Sequence, residues 1–138
     1  MTLLCLILFF SNCSSEKDEE DYSLRVKTMV SVCVTHEGMP VGAGVFLWVL
    51  LYEYHDVSLG TRLVDQNITT NESGCISLVT PYYDFCNNCS FEFHASLPEP
   101  NVGQTVYLNY EEALAGATES DDGHGKIYTW NVNLVLSY

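Results

Sequence analysis

Apolar and polar residues alternate along much of the chain. In the segment 24–35, one face carries an apolar set: Leu24, Val26, Val30, Val32 and Val34. The residues between them are mostly polar, as at Arg25 and Lys27. Alternation with a period of two is typical of a strand with one buried face, so this segment is predicted to be a half-buried strand. A turn at 36–40, which contains Gly38 and Pro40, ends it.

The next segment, 44–54, is apolar on both faces. Val45, Leu47, Val49 and Leu51 alternate with a second set that contains Phe46, Trp48, Leu50 and Tyr52. A strand with two apolar faces either lies in the centre of a fold or turns one face toward a partner.

The same pattern recurs to the end of the chain. Further strands are predicted at 61–69, 75–80, 90–97, 102–110 and 127–138. Between them we expect a turn at 71–74, a loop or helical turn at 81–88, a single helical turn at 111–116 and a flexible polar loop at 118–125. Seven short strands separated by turns indicate one all-β domain at 24–138, a sandwich or barrel with at most one short helix.

The first 15 residues differ from the rest. The apolar run at 3–10 is too short to span a bilayer, and small residues follow it. This pattern predicts that residues 1–15 are a cleaved export signal. Residues 16–23, which are mostly acidic, are predicted to be a linker. An alternative is a bacterial lipoprotein leader in which Cys13 carries lipid, although Phe10, Ser11 and Asn12 depart from the usual motif before such a cysteine.

Four cysteines follow the leader: Cys33, Cys75, Cys86 and Cys89. An even number in an exported chain predicts two disulfides, and four cysteines allow three pairings, which the sequence leaves open. The CxxC spacing of Cys86 and Cys89 also occurs in redox and zinc sites. A redox site needs a βαβ context and a zinc site needs a second close pair, so both are disfavoured here.

Three Asn-Xaa-Ser/Thr sequons begin at Asn67, Asn71 and Asn88. In a eukaryotic secreted protein they are acceptors for N-linked glycans on the surface. They predict a glycoprotein.

Charge limits the choice of partners. Eighteen acidic residues against five basic ones give a net charge of −13. Such a chain repels phosphate backbones and anionic headgroups, so binding to nucleic acid or to a membrane surface is not expected. Membrane insertion is not expected either, because the apolar run at 3–10 is too short to span a bilayer.

We expect no enzyme, no cofactor and no metal. The chain lacks a nucleophile elbow, a zinc-protease helix motif and a phosphate loop. His55-Asp56 and the loop 121–124 could ligate a cation, but solvated loops are favoured. His94 and Glu92 share one strand face, where a surface pair is favoured over a general base.

The segment 32–97 resembles the transthyretin-like family of secreted nematode proteins. The matching motifs are Val32-Cys33-Val34, Gly38-Met39-Pro40, the run 44–48, the run 70–78 and Phe91-Glu92-Phe93-His94. The resemblance implies a transthyretin-like, immunoglobulin-like sandwich of seven to eight strands. The first motifs also resemble carboxypeptidase-regulatory-like domains of bacterial surface proteins, which share that fold.

Two departures from the resemblance matter. The family places its second cysteine just after the histidine, where Ala95 and Ser96 stand here, so the resemblance implies that Cys86 or Cys89 takes over the bond to Cys33. The related hydroxyisourate hydrolases end in a Tyr-Arg-Gly-Ser-like motif, whereas this chain ends Leu136-Ser137-Tyr138. That activity is therefore not implied.

The expected function is a secreted, non-enzymatic binding or signalling module. Its aromatic residues suit an interface with an extracellular protein or a small apolar ligand. The alternative is that most of them fill the core. They are Phe46, Trp48, Tyr52, Tyr54, Tyr82, Tyr83 and Trp130. A homo-oligomer is left open. The alternative is a lipid-anchored bacterial surface lipoprotein with a carboxypeptidase-regulatory-like sandwich domain.

Overall fold

A computed structural model of the chain describes residues 24–55, 58–85 and 89–138. Within these ranges the chain forms two β-sheets, one of six strands and one of four, with one short helix. The apolar side chains of both sheets meet between them, which confirms the predicted all-β sandwich. The predicted export signal at 1–15 and acidic linker at 16–23 lie outside the described residues.

The six-stranded sheet is built around β1 (Leu24–His36). On one side β1 pairs in parallel with β10 (Lys126–Ser137), and β10 pairs in turn with β9 (Thr118–Asp121). On its other side β1 pairs antiparallel with three shorter strands: β2 (Met39–Pro40), β5 (Cys75–Val79) and β6 (Tyr83–Phe85).

The four-stranded sheet is entirely antiparallel, in the order β4-β3-β7-β8. Its strands are β4 (Ser58–Thr69), β3 (Phe46–His55), β7 (Cys89–Leu97) and β8 (Val102–Asn109). The strand with two apolar faces, β3, is central, and β4 is an edge strand.

One helix, α1 (Tyr110–Ala115), follows β8 directly. Asn109 begins it by accepting a hydrogen bond from the Glu112 backbone N–H, while the Glu112 carboxylate accepts one from the Asn109 backbone N–H. This reciprocal capping box satisfies backbone donors that a helix start leaves free. The helix agrees with the single turn predicted at 111–116.

The core is formed mainly by alternate residues of β1, β3, β7 and β10. An aromatic cluster lies at its centre, with ring centroids of Phe91 and Phe93 at 5.8 and 6.5 Å from that of Trp130. All three are buried, and valines and leucines of β1, β3 and β10 surround them. Burying each such side chain contributes about 1.5–3 kcal/mol, which makes this interlayer the main source of stability.

Two buried threonines, Thr28 and Thr80, take part in hydrogen bonds. The backbone N–H of Thr28 donates to the Thr80 hydroxyl, and the Thr28 hydroxyl shares a 2.7 Å hydrogen bond with the Tyr83 hydroxyl. Burial holds the pKa of Tyr83 above its ordinary value. Tyr83 therefore belongs to the structural core.

The turn between β4 and β5 is fixed by its own side chain. The Asn71 amide oxygen accepts hydrogen bonds from the backbone N–H groups of Ser73 and Cys75. Gly74 has φ +71°, and a Cβ there would lie 3.0 Å from the Val34 carbonyl oxygen. Glycine is required both by the left-handed backbone and by the close approach.

Three short strands were not anticipated. The shortest, Met39–Pro40, lies within the turn predicted at 36–40 and pairs with β1. The other two lie further along the chain. Residues 83–85 and 118–121, expected in a loop and in a flexible polar loop, pair with β1 and β10. Three residues are too few to show a period, and all four residues of β9 are exposed, so neither strand has an apolar alternation. The predicted loop structures are wrong at these residues because pairing with a distant strand determines them.

Candidate functional site

The outer surface of the four-stranded sheet carries a row of aromatic side chains. One set of alternate residues on β3 projects into the core: Leu47, Val49, Leu51 and Glu53. The aromatic residues of the other set therefore project outward: Phe46, Trp48, Tyr52 and Tyr54. Tyr107 on β8 joins them through Glu92, which lies opposite both Tyr52 and Tyr107. Phe46, Trp48 and Tyr107 are 48, 39 and 66% exposed. We call this surface, with the polar side chains between its rings, the aromatic face.

A chain of side-chain contacts fixes two of these rings. The Trp48 indole N–H donates to the Asp65 carboxylate at 2.8 Å, and Arg62 donates to the other oxygen of Asp65. The Arg62 guanidinium also lies 5.4 Å from the centre of the Tyr52 ring, a cation–π contact. These contacts run Trp48–Asp65–Arg62–Tyr52 and link β3 to β4 on the outer side of the sheet.

Electrostatics follow from this geometry. The hydrogen bond from Trp48, and then the charge of Arg62, hold the pKa of the Asp65 carboxyl below its ordinary value. Contacts with Tyr52 and with Asp65 raise the pKa of Arg62. Both groups therefore stay charged across the physiological range.

Tyr54 is fixed by a different partner. Its hydroxyl donates to the Glu92 carboxylate at 2.6 Å, and its ring centroid lies 5.9 Å from that of Tyr52. The hydrogen bond to Glu92, followed by burial, raises the pKa of Tyr54 to about 12. The Tyr54 hydroxyl thus remains a neutral donor.

His94 pairs across to β8. Its Nδ1 shares a 2.7 Å hydrogen bond with the Thr105 hydroxyl, and its ring meets that of Trp48 edge to face at 6.1 Å. Glu92 bonds to Tyr54. The surface pair expected between His94 and Glu92 is therefore wrong, because each finds its partner on a neighbouring strand.

The aromatic face is an open, pre-ordered platform. One residue on the outer side of β3 is not accessible to a partner, because Leu50 is only 6% exposed. Side chains held by polar contacts at their edges lose little freedom when a partner covers them. The face can therefore offer apolar ring surface with charged and hydroxyl groups between the rings.

The described residues show no arrangement for metal binding. No group of three or more His, Cys, Asp or Glu side chains in the ranges 24–55, 58–85 and 89–138 is placed to hold an ion. In the loop 121–124, the carboxylates of Asp121 and Asp122 accept hydrogen bonds from the backbone N–H groups of Gly123 and His124. Of the other candidate, His55-Asp56, the structure describes no side chain.

The remaining aromatic candidates lie elsewhere. Trp130 and Tyr83 belong to the core, their ring centroids 6.5 Å apart. Tyr82 is exposed beside the six-stranded sheet, with Arg25 and Lys27 at 4.9 and 5.2 Å from its ring centre. The predicted set thus divides between two surfaces and the core.

Cys33 and Cys75 form a disulfide between directly opposed residues of β1 and β5. The bond to Cys33 that the resemblance implied for Cys86 or Cys89 is therefore wrong, because the turn 71–74 brings Cys75 opposite Cys33. Cys89 is disulfide-bonded as well. Cys86 lies outside the described residues.

Two of the three sequon asparagines are described. Asn67 is exposed on β4 and lies directly opposite Trp48. Asn71 is exposed in the turn before β5. Asn88 lies outside the described residues.

Sequence reasoning missed the partners of the rings, namely Arg62, Asp65, Thr105 and Tyr107. Period-two alternation indicates which residues of one strand share a face. It does not show that β4 and β7 flank β3, which is what brings these side chains together.

The similarity to known proteins is slight. No protein-family model and no curated protein matches the chain. Among solved structures, the dioxygenase domain of a dioxygenase–carbohydrate-binding protein fusion from the cellulolytic bacterium Streptomyces sp. SirexAA-E is similar at TM-score 0.37 and 17% identity, over 83% of this chain and 82% of that one. A similarity at this level carries no argument about function. The described residues contain no helix with the length and apolar character of a membrane span.

Proposed function

We propose that the protein is a secreted, non-enzymatic binding module that recognises an extracellular protein through its aromatic face. The observation that carries the proposal is the chain Trp48–Asp65–Arg62–Tyr52, which holds two exposed rings in fixed positions on the outside of a sheet. Trp, Tyr and Arg are the residues that dominate binding energy in protein interfaces.

The shape of the surface favours a protein over a small apolar ligand. Small-molecule sites are concave and surround most of the ligand. The aromatic face is the outer side of a four-stranded sheet, from Asn67 on β4 to Tyr107 on β8. An open surface of this kind suits the broad contact that two proteins make.

Charge indicates the kind of protein. The chain has a net charge of −13, and on the aromatic face Asp65 and Glu92 outnumber Arg62. Like charges oppose the approach of a second copy, whereas a partner with basic residues around an apolar centre is attracted. The proposed partner is therefore a basic extracellular protein.

Secretion is supported by three features. They are the apolar leader at 1–15, the Cys33–Cys75 disulfide and the disulfide bond of Cys89. Disulfides persist in oxidising compartments outside the cytosol. The resemblance to transthyretin-like secreted proteins agrees with this assignment, and the proposed domain is of that type.

A capture experiment with variants tests the proposal. The full chain, produced without glycans in a bacterial periplasm, is immobilised and exposed to extracellular fluid of the source organism, and bound proteins are quantified by mass spectrometry. The Trp48→Ala/Tyr52→Ala variant is compared with Tyr82→Ala, which removes an exposed ring elsewhere. We expect a basic protein that binds the wild type and Tyr82→Ala alike, falls at least tenfold on the double variant and weakens with salt.

Two results would overturn the proposal. One is equal capture of every protein by the wild type and by Trp48→Ala/Tyr52→Ala, which would show that the aromatic face is not used. The other is that the immobilised chain retains only further copies of itself, and that the free chain shows concentration-dependent sedimentation.

A further inference from the structure

We infer that an N-linked glycan on Asn67 lies against Trp48 and covers one end of the aromatic face. The occupant of this end is therefore a sugar carried by the chain itself. Only the consequence for partner binding rests on the proposed function.

The register of β3 and β4 places the two side chains together. Asn67 lies directly opposite Trp48 in the antiparallel ladder, so both project from the same side of the sheet. Side chains of such a pair have Cβ atoms roughly 4.5–5.5 Å apart. The first sugar of a glycan on Asn67 therefore begins within reach of the indole.

The N–H of the indole points toward β4. Its N–H donates to Asp65, which lies two residues before Asn67 on the same side of that strand. The ring also meets His94 of β7 edge to face, so it is held with Asp65 on one side and His94 on the other, and Trp48 is still 39% exposed. A sugar there covers surface that the protein itself leaves open.

Asn67 is suited to modification. It and Thr69, the hydroxyl residue of its sequon, are both exposed in β4, an edge strand of the sheet. In the transfer, the Asn67 amide nitrogen forms a bond to C1 of N-acetylglucosamine. The bond from C1 to phosphate in a lipid-linked oligosaccharide diphosphate donor breaks, and the diphosphate leaves as the amide loses one proton.

The chemistry of the sugar matches the ring. A pyranose has a face of C–H groups, and the π surface of an indole is electron-rich, so the two attract when stacked. The attachment at Asn67 makes this contact intramolecular, which removes most of the entropy cost of bringing the groups together.

Asn71 offers the matched control. Its side-chain oxygen accepts hydrogen bonds from Ser73 and Cys75 in the turn before β5, and its exposed amide nitrogen is the sugar-bearing atom. No ring of the aromatic face lies opposite it in the ladder, which ends at the pair Phe46–Thr69. A glycan on Asn71 leaves Trp48 uncovered.

Tryptophan fluorescence reads the contact directly. The chain has two tryptophans, and Trp130 is 2% exposed, so quenching by acrylamide reports Trp48. The full chain is secreted from a glycosylating eukaryotic cell as the wild type, Asn67→Gln, Asn71→Gln and Trp48→Phe. Peptide mapping measures occupancy, and Trp48→Phe gives the baseline of Trp130.

We expect a glycan on Asn67 and a quenching constant at least twofold higher in Asn67→Gln than in the wild type. Asn71→Gln is expected to match the wild type. An unmodified Asn67, or a glycosylated Asn67 with quenching equal to that of Asn67→Gln, would overturn the inference.

The consequence for binding separates this inference from the proposed function. If both hold, Asn67→Gln captures the partner at least several-fold better than the glycosylated wild type. If the glycan shields Trp48 but Trp48→Ala/Tyr52→Ala does not affect capture, the inference stands and the proposed function fails. If Trp48 is equally quenched with and without the glycan while the double variant loses capture, the proposed function stands and the inference fails.

Discussion

The Trp48 indole donates a hydrogen bond to the Asp65 carboxylate across β3 and β4, with 2.8 Å between nitrogen and oxygen. The two residues lie on the outer side of the sheet, so this bond does not contribute to the packing of the core. Its effect is to hold an exposed ring in one orientation.

Acid is predicted to release that ring. Because the bond lowers the pKa of Asp65, its contribution to stability is present above the pKa of the unfolded chain and is lost as pH falls through the folded value. We expect a change in Trp48 emission with a midpoint below the ordinary carboxyl value of 3.8. Asp65→Asn, which keeps an acceptor but has no charge to titrate, should lack it. A midpoint at or above 3.8 would contradict this account.

Alkali is predicted to act on the Tyr54–Glu92 pair. The pKa of Tyr54 is raised to about 12 in the folded protein. The stability that the neutral hydroxyl contributes is therefore complete below the pKa of the unfolded chain and is lost as pH rises through the pKa of the folded protein. In an absorbance titration of the nine tyrosines, Tyr54→Phe should remove a step near that value. Glu92→Gln should move the step to lower pH, whereas Tyr82→Phe, which removes a hydroxyl beside the other sheet, should leave it in place. An unchanged step in Glu92→Gln would show that Glu92 is not the cause.

Loss of the Cys33–Cys75 disulfide is predicted to destabilise the domain substantially. The bond joins residues 42 apart in sequence, and a constraint on a loop of this length in the unfolded chain is worth about 4 kcal/mol. Cys33→Ala/Cys75→Ala should therefore unfold at a much lower urea concentration. A double variant is preferable to a reductant, since Cys89 is also disulfide-bonded. A loss of less than about 1 kcal/mol would mean that the other contacts of β5 suffice to hold it.

The core and the aromatic face should respond differently to truncation. Phe93→Ala empties a buried site in contact with Phe91 and Trp130 and is expected to cost about 3–5 kcal/mol of unfolding free energy. Tyr107→Ala removes a ring that is 66% exposed, and about 0.5 kcal/mol or less is expected. Comparable losses in urea unfolding would place Tyr107 in the core and remove it from the binding surface.

The sandwich could be predicted because its long strands alternate clearly. Trp130 has the same parity in β10 as Val132, Leu134 and Leu136, so its place in the core can be read from the sequence. Trp48 cannot be placed in this way, because β3 is apolar on both faces and parity does not say which face is inward.

The rest depends on contacts between strands distant in sequence. Asp65 and Tyr107 join the aromatic face only because β4 and β7 pair with β3 and β8 pairs with β7. The pairing of Cys33 with Cys75 depends in the same way on the antiparallel register of β1 and β5. Neither register leaves a local signal in the sequence.

The central claim is that the aromatic face is the surface a partner covers, and hydroxyl-radical footprinting of the complex tests it most directly. Trp48 and Tyr107 report the aromatic face, while Met39 and Tyr82, which are exposed beside the six-stranded sheet, serve as internal controls. We expect the captured partner to reduce oxidation of Trp48 and Tyr107 at least threefold and to leave Met39 and Tyr82 unchanged. Protection of Met39 and Tyr82 with Trp48 and Tyr107 still fully oxidised would contradict the claim.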